Sequence, residues 1–150
     1  MLQPEQSRVA MEQLIEGTHQ SGFFQLLGMH IEITEPGTGK VHITVDERLM
    51  HPQMIVHGGV IFTLADTAMS MALLSLLPVG TRISTIEAKI NYLLPVRAGE
   101  LLAEAIIVQH GRSIAVLEAN VYNLQEDERK AIARILGTFH IAPPKPASKP

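Results

Sequence analysis

Apolar and polar residues alternate in two neighbouring stretches near the start of the chain, residues 29–33 and 41–45. A segment of turn residues, Pro36-Gly37-Thr38-Gly39, separates them. Side chains of a strand point alternately to the two faces of a sheet, so this period of two indicates strands, and the intervening turn residues predict a β-hairpin.

Helical patterns lie on both sides of the hairpin. Pro4 can open a first helix to about residue 17, and the apolar cluster at 23–27 predicts a short helical turn that packs on the core. From Val60 to Leu77 the chain is nearly all apolar and rich in Ala, Leu and Met. A helix that is apolar all round is expected to be buried, so this run predicts a central helix that ends before Pro78.

The second half of the chain reads as four strands, over residues 81–94, 100–110, 113–123 and 130–141. Gly111-Arg112 is the predicted tight turn between two of them, and 123–128 is predicted to be a polar loop. Strands joined by short connections indicate an antiparallel sheet, and one helix must bury against a face of it. The predicted fold is therefore α+β, one long buried helix wrapped by a curved antiparallel sheet of about five to six strands.

Composition adds limits to this picture. With 150 residues, 46% of them hydrophobic, we expect a single globular domain over 1–141 and a disordered Pro/Lys tail over 142–150. The net charge of −3 is too mild for a nucleic-acid binder, and the absence of Cys removes disulfides, thiolate nucleophiles and zinc–cysteine sites. No signal-peptide pattern or convincing membrane span is found, so we expect a cytoplasmic protein. No cluster of Cys, His and carboxylate residues has metal-ligand spacing, so we expect no metal site.

Asp66 is the single ionisable residue in the apolar run from Val60 to Leu77. Its neighbours at helical spacing include Phe62 and Ser70, and no Lys or Arg lies within one turn. A structural Asp, paired from elsewhere in the chain, is one interpretation. Burial of an unpartnered carboxylate is costly, however, which favours a functional group.

His57-Gly58-Gly59 stands directly before this helix. Two glycines leave backbone N–H groups unshielded at a helix N-terminus, where the dipole favours negative charge. Such a site can hold an oxyanion that forms from a carbonyl group. A tight loop that merely requires glycine is the alternative, and the motif is weak unless the buried Asp66 accompanies it.

Residues 57–66 resemble the HGGxxxTLxD signature of hotdog-fold thioesterases, most closely the phenylacetate-degradation type, with the 4-hydroxybenzoyl-CoA thioesterases as relatives. The segments 85–95 and 99–105 also resemble that family, and the resemblance covers roughly residues 22–140. It implies a hotdog fold, an acyl-coenzyme A substrate with no separate cofactor, and a homodimer or a dimer of dimers.

The resemblance also implies roles for particular residues. Asp66 would be the nucleophile or general base, the Gly58 amide the oxyanion donor, His57 a support for that end of the site, and Thr85 a group that positions water. Residues implied to line the substrate site are Met54, Gly59, Phe62, Ser70, Asn91 and Arg112.

Two positions depart from the family pattern. His51 stands where the family commonly has Asn or Gln, and Met54 where it commonly has Gly. An imidazole can orient water as an amide does and can also move protons near neutral pH. Met54 is expected to narrow the acyl pocket, so both changes bear on the substrate.

Two other functions remain open from the sequence. A hotdog dehydratase or hydratase that acts on 3-hydroxyacyl thioesters would use a His in a proline-containing loop and a carboxylate about fourteen residues later, which His51-Pro52 and Asp66 nearly mimic. A non-catalytic acyl-CoA-binding module is the other hypothesis, and a hydrolysis assay separates it from the thioesterase and the dehydratase.

Overall fold

The computed structural model describes residues 4–143, with side chains described from residue 8. In chain order, the elements are α1 (Pro4–His19), α2 (Gly22–Leu27), β1 (Met29–Glu32), β2 (Thr38–Thr44), a 3-10 turn (Glu47–Leu49), α3 (Gly58–Leu74), β3 (Arg82–Tyr92), β4 (Glu100–His110), β5 (Ile114–Gln125) and β6 (Glu128–Ala142). The predicted order of two strands, one long helix and four strands is confirmed.

The six strands form one antiparallel sheet in the order β1-β2-β4-β5-β6-β3. The predicted hairpin pairs Met29 with Ile43 and Ile31 with Val41, so their apolar side chains lie on the same, buried face. β3 follows α3 in the chain but pairs with β6, at the opposite edge from β1. The predicted α+β class with a single long helix against an antiparallel sheet is therefore confirmed.

Small residues allow α3 to lie close against the sheet. A Cβ atom at Gly39 of β2 would stand 2.1 Å from the carbonyl oxygen of Ala68 and 2.9 Å from the amide nitrogen of Ala72. Ala65, Ala68 and Ala72 are fully buried. Their spacing of three and four residues forms one face of the helix. This contact fixes α3, and with it Asp66, relative to the sheet.

The prediction that α3 is apolar and buried all round is wrong for the single chain. Eight of its 17 residues are buried, whereas Phe62, Asp66 and Ser70 are only partly buried. The sheet covers one side of the helix, and the side that carries Asp66 keeps contact with solvent. No helix in residues 4–143 is long and apolar enough to cross a membrane.

The ends of α3 also differ from the prediction of Val60–Leu77. The helix begins at Gly58 because His57 caps its first turn, and it ends at Leu74. The hydroxyl of Ser75 donates a hydrogen bond to the carbonyl oxygen of Ala72 and accepts one from the amide of Gly37, both at 2.7 Å. This hydroxyl ties the end of the helix to the β1–β2 turn, so Leu76 and Leu77 leave the helix.

Three smaller boundaries differ as well. α1 continues two residues beyond the predicted end at residue 17. The predicted polar loop at 123–128 is reduced to a two-residue turn, because β5 and β6 pair up to Gln125 and Glu128 and Glu126 adopts a positive φ of 54°. Ala142 belongs to β6 rather than to a tail, and residues 144–150 of the predicted tail lie outside the described residues.

Candidate active site

Asp66 lies on α3 with its carboxylate toward β3. The hydroxyl of Thr85 donates a hydrogen bond of 2.8 Å to one carboxylate oxygen. Asp66 forms no salt bridge within the part of the chain whose side chains are described. Loss of hydration raises the pKa of Asp66, and the hydrogen bond from Thr85 opposes this effect only in part. The result is a carboxylate that is more basic than an ordinary Asp.

The backbone amides in the first turn of α3 differ in their hydrogen bonding. Nδ1 of His57 accepts a hydrogen bond of 2.9 Å from the amide of Gly59, and the carbonyl oxygen of His57 accepts one of 2.9 Å from the amide of Val60. Among residues 8–143, no group accepts a hydrogen bond from the amide of Gly58. The N–H of Gly58 therefore lies at the positive end of the helix dipole without an acceptor in this part of the chain.

Tyr92, at the end of β3, packs on the first residue of the helix. Its hydroxyl donates a hydrogen bond of 2.8 Å to the carbonyl oxygen of Gly58. A Cβ atom at Gly58 would lie 2.9 Å from that hydroxyl oxygen and 3.0 Å from the ring carbon that bears it. Glycine is thus required here by the close approach of the tyrosine ring.

The loop before α3 is held in one conformation by its own backbone and by Arg97. Nδ1 of His51 accepts a hydrogen bond of 3.0 Å from the amide of Gln53, and Nη1 of Arg97 donates to the carbonyl oxygens of Gln53 and Met54 at 3.3 and 3.1 Å. Met54 has a φ of 58°, in the left-handed region that favours glycine. Its side chain is exposed in the single chain.

A cavity of about 330 Å³ opens beside the N-terminus of α3. Its lining residues are His51, Ile55, Val56, Gly58, Ile61, Tyr92, Leu93, Leu94, Pro95 and Val96. The cavity brings His51 and Gly58 together but does not include Asp66. The eight residues from Gly58 to Asp66 span about 12 Å of helix at 1.5 Å per residue. Within the single chain, the cavity at Gly58 and the carboxylate of Asp66 are therefore separate.

The remaining predicted residues fall into two groups. Phe62 and Ser70 flank Asp66 by one turn on either side of α3, and both are partly buried. Asn91, near the end of β3, and Arg112, in the β4–β5 turn, are exposed and lie outside the lining of the cavity. Residues 4–143 contain no group of three His, Cys, Asp or Glu that could hold a metal ion.

Two structural contacts are absent from the sequence prediction. Tyr92 belongs to no predicted site, although it is the last residue of β3 and one of only two tyrosines in the chain. Arg97 also belongs to no predicted site, and it braces the loop at 51–56. Both contacts join residues more than thirty positions apart, so no local pattern reports them.

A family model described as the thioesterase superfamily matches residues 53–130, which include the loop before α3, Asp66, Thr85 and Tyr92. The acyl-coenzyme A thioesterase PaaI of Escherichia coli is 30% identical over 76% of this chain and 78% of its own length. A protein of Halobacterium salinarum, 35% identical over 67% of this chain and 69% of its own, carries only a provisional esterase name.

Solved structures give the same result. A thioesterase of Haemophilus influenzae superposes with a TM-score of 0.81 at 26% identity, covering 93% of this chain and 94% of its own. The PaaI protein of E. coli, from the phenylacetic acid degradation operon, superposes with a TM-score of 0.79 at 25% identity, over 91% and 96% of the two chains. The predicted hotdog fold is confirmed by these neighbours.

Proposed function

This chain belongs to the thioesterase superfamily, and from that premise we propose that it hydrolyses an acyl-coenzyme A thioester to the free acid and coenzyme A. The observation that carries the proposal is the state of Asp66. It is a partly buried carboxylate of raised pKa that accepts a hydrogen bond from the neutral hydroxyl of Thr85, and no cation among residues 8–143 forms a salt bridge with it. A carboxylate in that state suits attack on a carbonyl or removal of a proton from water.

Hydrolysis requires oxygen to add to the thioester carbonyl and the thiolate to leave. As a general base, Asp66 takes a proton from water while that water attacks the carbonyl carbon. As a nucleophile, it forms an anhydride that water then cleaves. In both routes the hydrogen bond from Thr85 orients the carboxylate. Neither route needs a cofactor, since coenzyme A is part of the substrate. The amide of Gly58 would stabilise the negative charge that develops on the carbonyl oxygen.

Gly58 and Asp66 of one chain cannot both serve one thioester. An oxyanion donor and a base must each lie about 3 Å from the reacting group, whereas these two residues are about 12 Å apart along α3. In a two-fold dimer with antiparallel copies of α3, the start of one helix lies beside the middle of the other. We therefore infer that each site takes Gly58 from one chain and Asp66 from its partner.

The surface of the single chain supports such a dimer. β3 is an edge strand with one side unpaired, and large apolar side chains at Ile86, Leu93 and Leu94 are about half exposed. An exposed apolar edge is a template for pairing with another chain. A second copy that covered this edge would also cover the Asp66 side of α3 and complete the cavity at Gly58.

The test is thiol release from a panel of acyl-coenzyme A esters with aryl, short and medium-length acyl groups. We expect hydrolysis by the wild type, and a loss of about 10²–10⁴-fold in kcat for Asp66→Asn, the range for a positioned acid–base group. Asp127→Asn, in the exposed β5–β6 turn, is the matched control and should retain full activity. A wild type that binds the esters without releasing thiol would identify a binding module instead, and an active Asp66→Asn would remove Asp66 from the mechanism.

A further inference from the structure

The peptide group that joins Gly58 to Gly59 is held at both ends. Its carbonyl oxygen accepts the hydrogen bond from Tyr92 at 2.8 Å, and its N–H donates to Nδ1 of His57 at 2.9 Å. A planar peptide group that is hydrogen-bonded at both its oxygen and its nitrogen cannot rotate without losing one of the bonds. The two contacts together therefore fix the orientation of this peptide plane.

This restraint acts where the backbone is otherwise least restricted. Two consecutive glycines occupy more of φ/ψ space than any other pair, so the first turn of α3 has little conformational preference of its own. The ring of Tyr92 lies over Gly58, at the distances that exclude a Cβ atom. Tyr92 thus restrains Gly58 through a hydrogen bond and also occupies the space that a Cβ atom at this position would need.

The consequence falls on the neighbouring amide. The N–H of Gly58 belongs to the preceding peptide group, whose carbonyl oxygen, on His57, accepts the hydrogen bond from Val60. The φ and ψ of Gly58 set the orientation of this group relative to the peptide plane that Tyr92 holds. A donor that is aimed at the oxyanion before the reaction costs no reorganisation when charge develops. A donor on an unrestrained diglycine would have to be ordered in each turnover, which adds to the barrier of the chemical step.

We propose that Tyr92 is a positioning residue for the oxyanion donor: it holds the Gly58–Gly59 peptide, and thereby keeps the N–H of Gly58 aimed at the thioester oxygen. The inference rests on the proposed function, because it gives Gly58 the role of oxyanion donor. Tyr92 also lines the cavity beside Gly58, so an acyl group bound there contacts the residue that positions the donor.

The experiment compares Tyr92→Phe with Tyr122→Phe in the thiol-release assay. Tyr92→Phe keeps the ring but loses the hydrogen bond to Gly58. Tyr122, whose ring stacks 3.8 Å from the guanidinium carbon of Arg129, is the other tyrosine of the chain and the matched control. Complete loss of an oxyanion donor costs about 10²–10³-fold in kcat, so misalignment should cost less, about 5–30-fold. KM should change by less than about twofold, because the donor acts mainly in the transition state.

A second readout separates positioning from stability. The backbone amide signals of Gly58 and Gly59 should shift and broaden in the NMR spectrum of Tyr92→Phe and remain unchanged in Tyr122→Phe. A purely structural role would lower the melting temperature of Tyr92→Phe while kcat per folded molecule and both amide signals stayed at the wild-type values, and that result would overturn the inference. A wild type that hydrolyses no thioester would instead overturn the proposed function.

Discussion

Replacement of Asp66 by Asn should raise the stability of the folded chain while it removes activity. Asn has the shape of Asp, and its carbonyl oxygen can still accept the hydrogen bond from Thr85. What it removes is a partly desolvated negative charge that no cation compensates. Functional groups of this kind commonly lower stability, so activity and stability should change in opposite directions.

The sign of the pH dependence follows from the raised pKa of Asp66. A group that binds its proton more tightly in the folded than in the unfolded chain stabilises the fold when protonated. This contribution is complete below the ordinary Asp pKa and is lost as the pH rises through the raised value. Asp66→Asn, which cannot ionise, should therefore match the wild type in acid and exceed it at alkaline pH.

The size of the difference is limited by the remaining hydration of Asp66. Mutational data give about 1–3 kcal/mol for burial of a polar group without compensation. Asp66 is only partly buried and keeps one hydrogen bond, so we expect about 0.5–1 kcal/mol at alkaline pH. The measurement is urea unfolding of both proteins at about pH 3, below the ordinary Asp pKa, and at about pH 8. A variant that is less stable than the wild type at the higher pH, or a difference that is equal at both, would refute this account of Asp66.

Two further substitutions test the surroundings of Asp66 and Gly58. Thr85→Val removes the hydrogen bond that lowers the pKa of Asp66, so that pKa should rise further and the acid limb of the kcat/KM profile should move to higher pH. Ser84→Ala, on the same strand, is the control, and a Thr85→Val profile that does not move would contradict this. His51→Gln places the amide that the family commonly has beside the cavity, and the variant should retain substantial thioesterase activity in the thiol-release assay. A variant as inactive as Asp66→Asn would make His51 an essential base and favour the dehydratase hypothesis.

Local patterns were sufficient to predict the hairpin, the long helix and the four later strands. The alternation at 29–33 and 41–45 identifies the buried side chains of Met29, Ile31, Val41 and Ile43, because β1 and β2 pair in the register that aligns them. Ile33 lies beyond the end of β1 and is exposed. The apolar run after Val60 likewise identified α3, but not its ends. Gly58 and Gly59 have low helix propensity, and the helix begins there because the His57 side chain caps it.

The parts of the site that the sequence left open depend on contacts between distant elements. A role for Thr85 was implied only by the family resemblance. Its hydrogen bond to Asp66 forms because β3 pairs with β6 at the edge of the sheet beside α3. The contact between Tyr92 and Gly58 has the same origin. Met54 adopts a positive φ although its residue type disfavours one, because hydrogen bonds hold the loop on both sides.

The shared site is the central claim, and mixed dimers of two inactive variants test it most directly. Asp66→Ala removes the carboxylate, and Gly58→Pro removes the amide donor at the first position of α3, where the missing N–H breaks no hydrogen bond of the helix. A side chain at Gly58 also displaces Tyr92, so Gly58→Ala, which keeps the amide, is the control for that effect.

In a mixed dimer, one site holds both lesions and the other holds neither. Random reassortment makes about half of the dimers mixed, so about a quarter of all sites should be intact. We predict that co-refolded Asp66→Ala and Gly58→Pro chains regain about a quarter of the wild-type rate of thiol release when half of the dimers are mixed, and proportionally less when fewer are mixed. Mixed dimers that form and remain inactive would contradict the shared site.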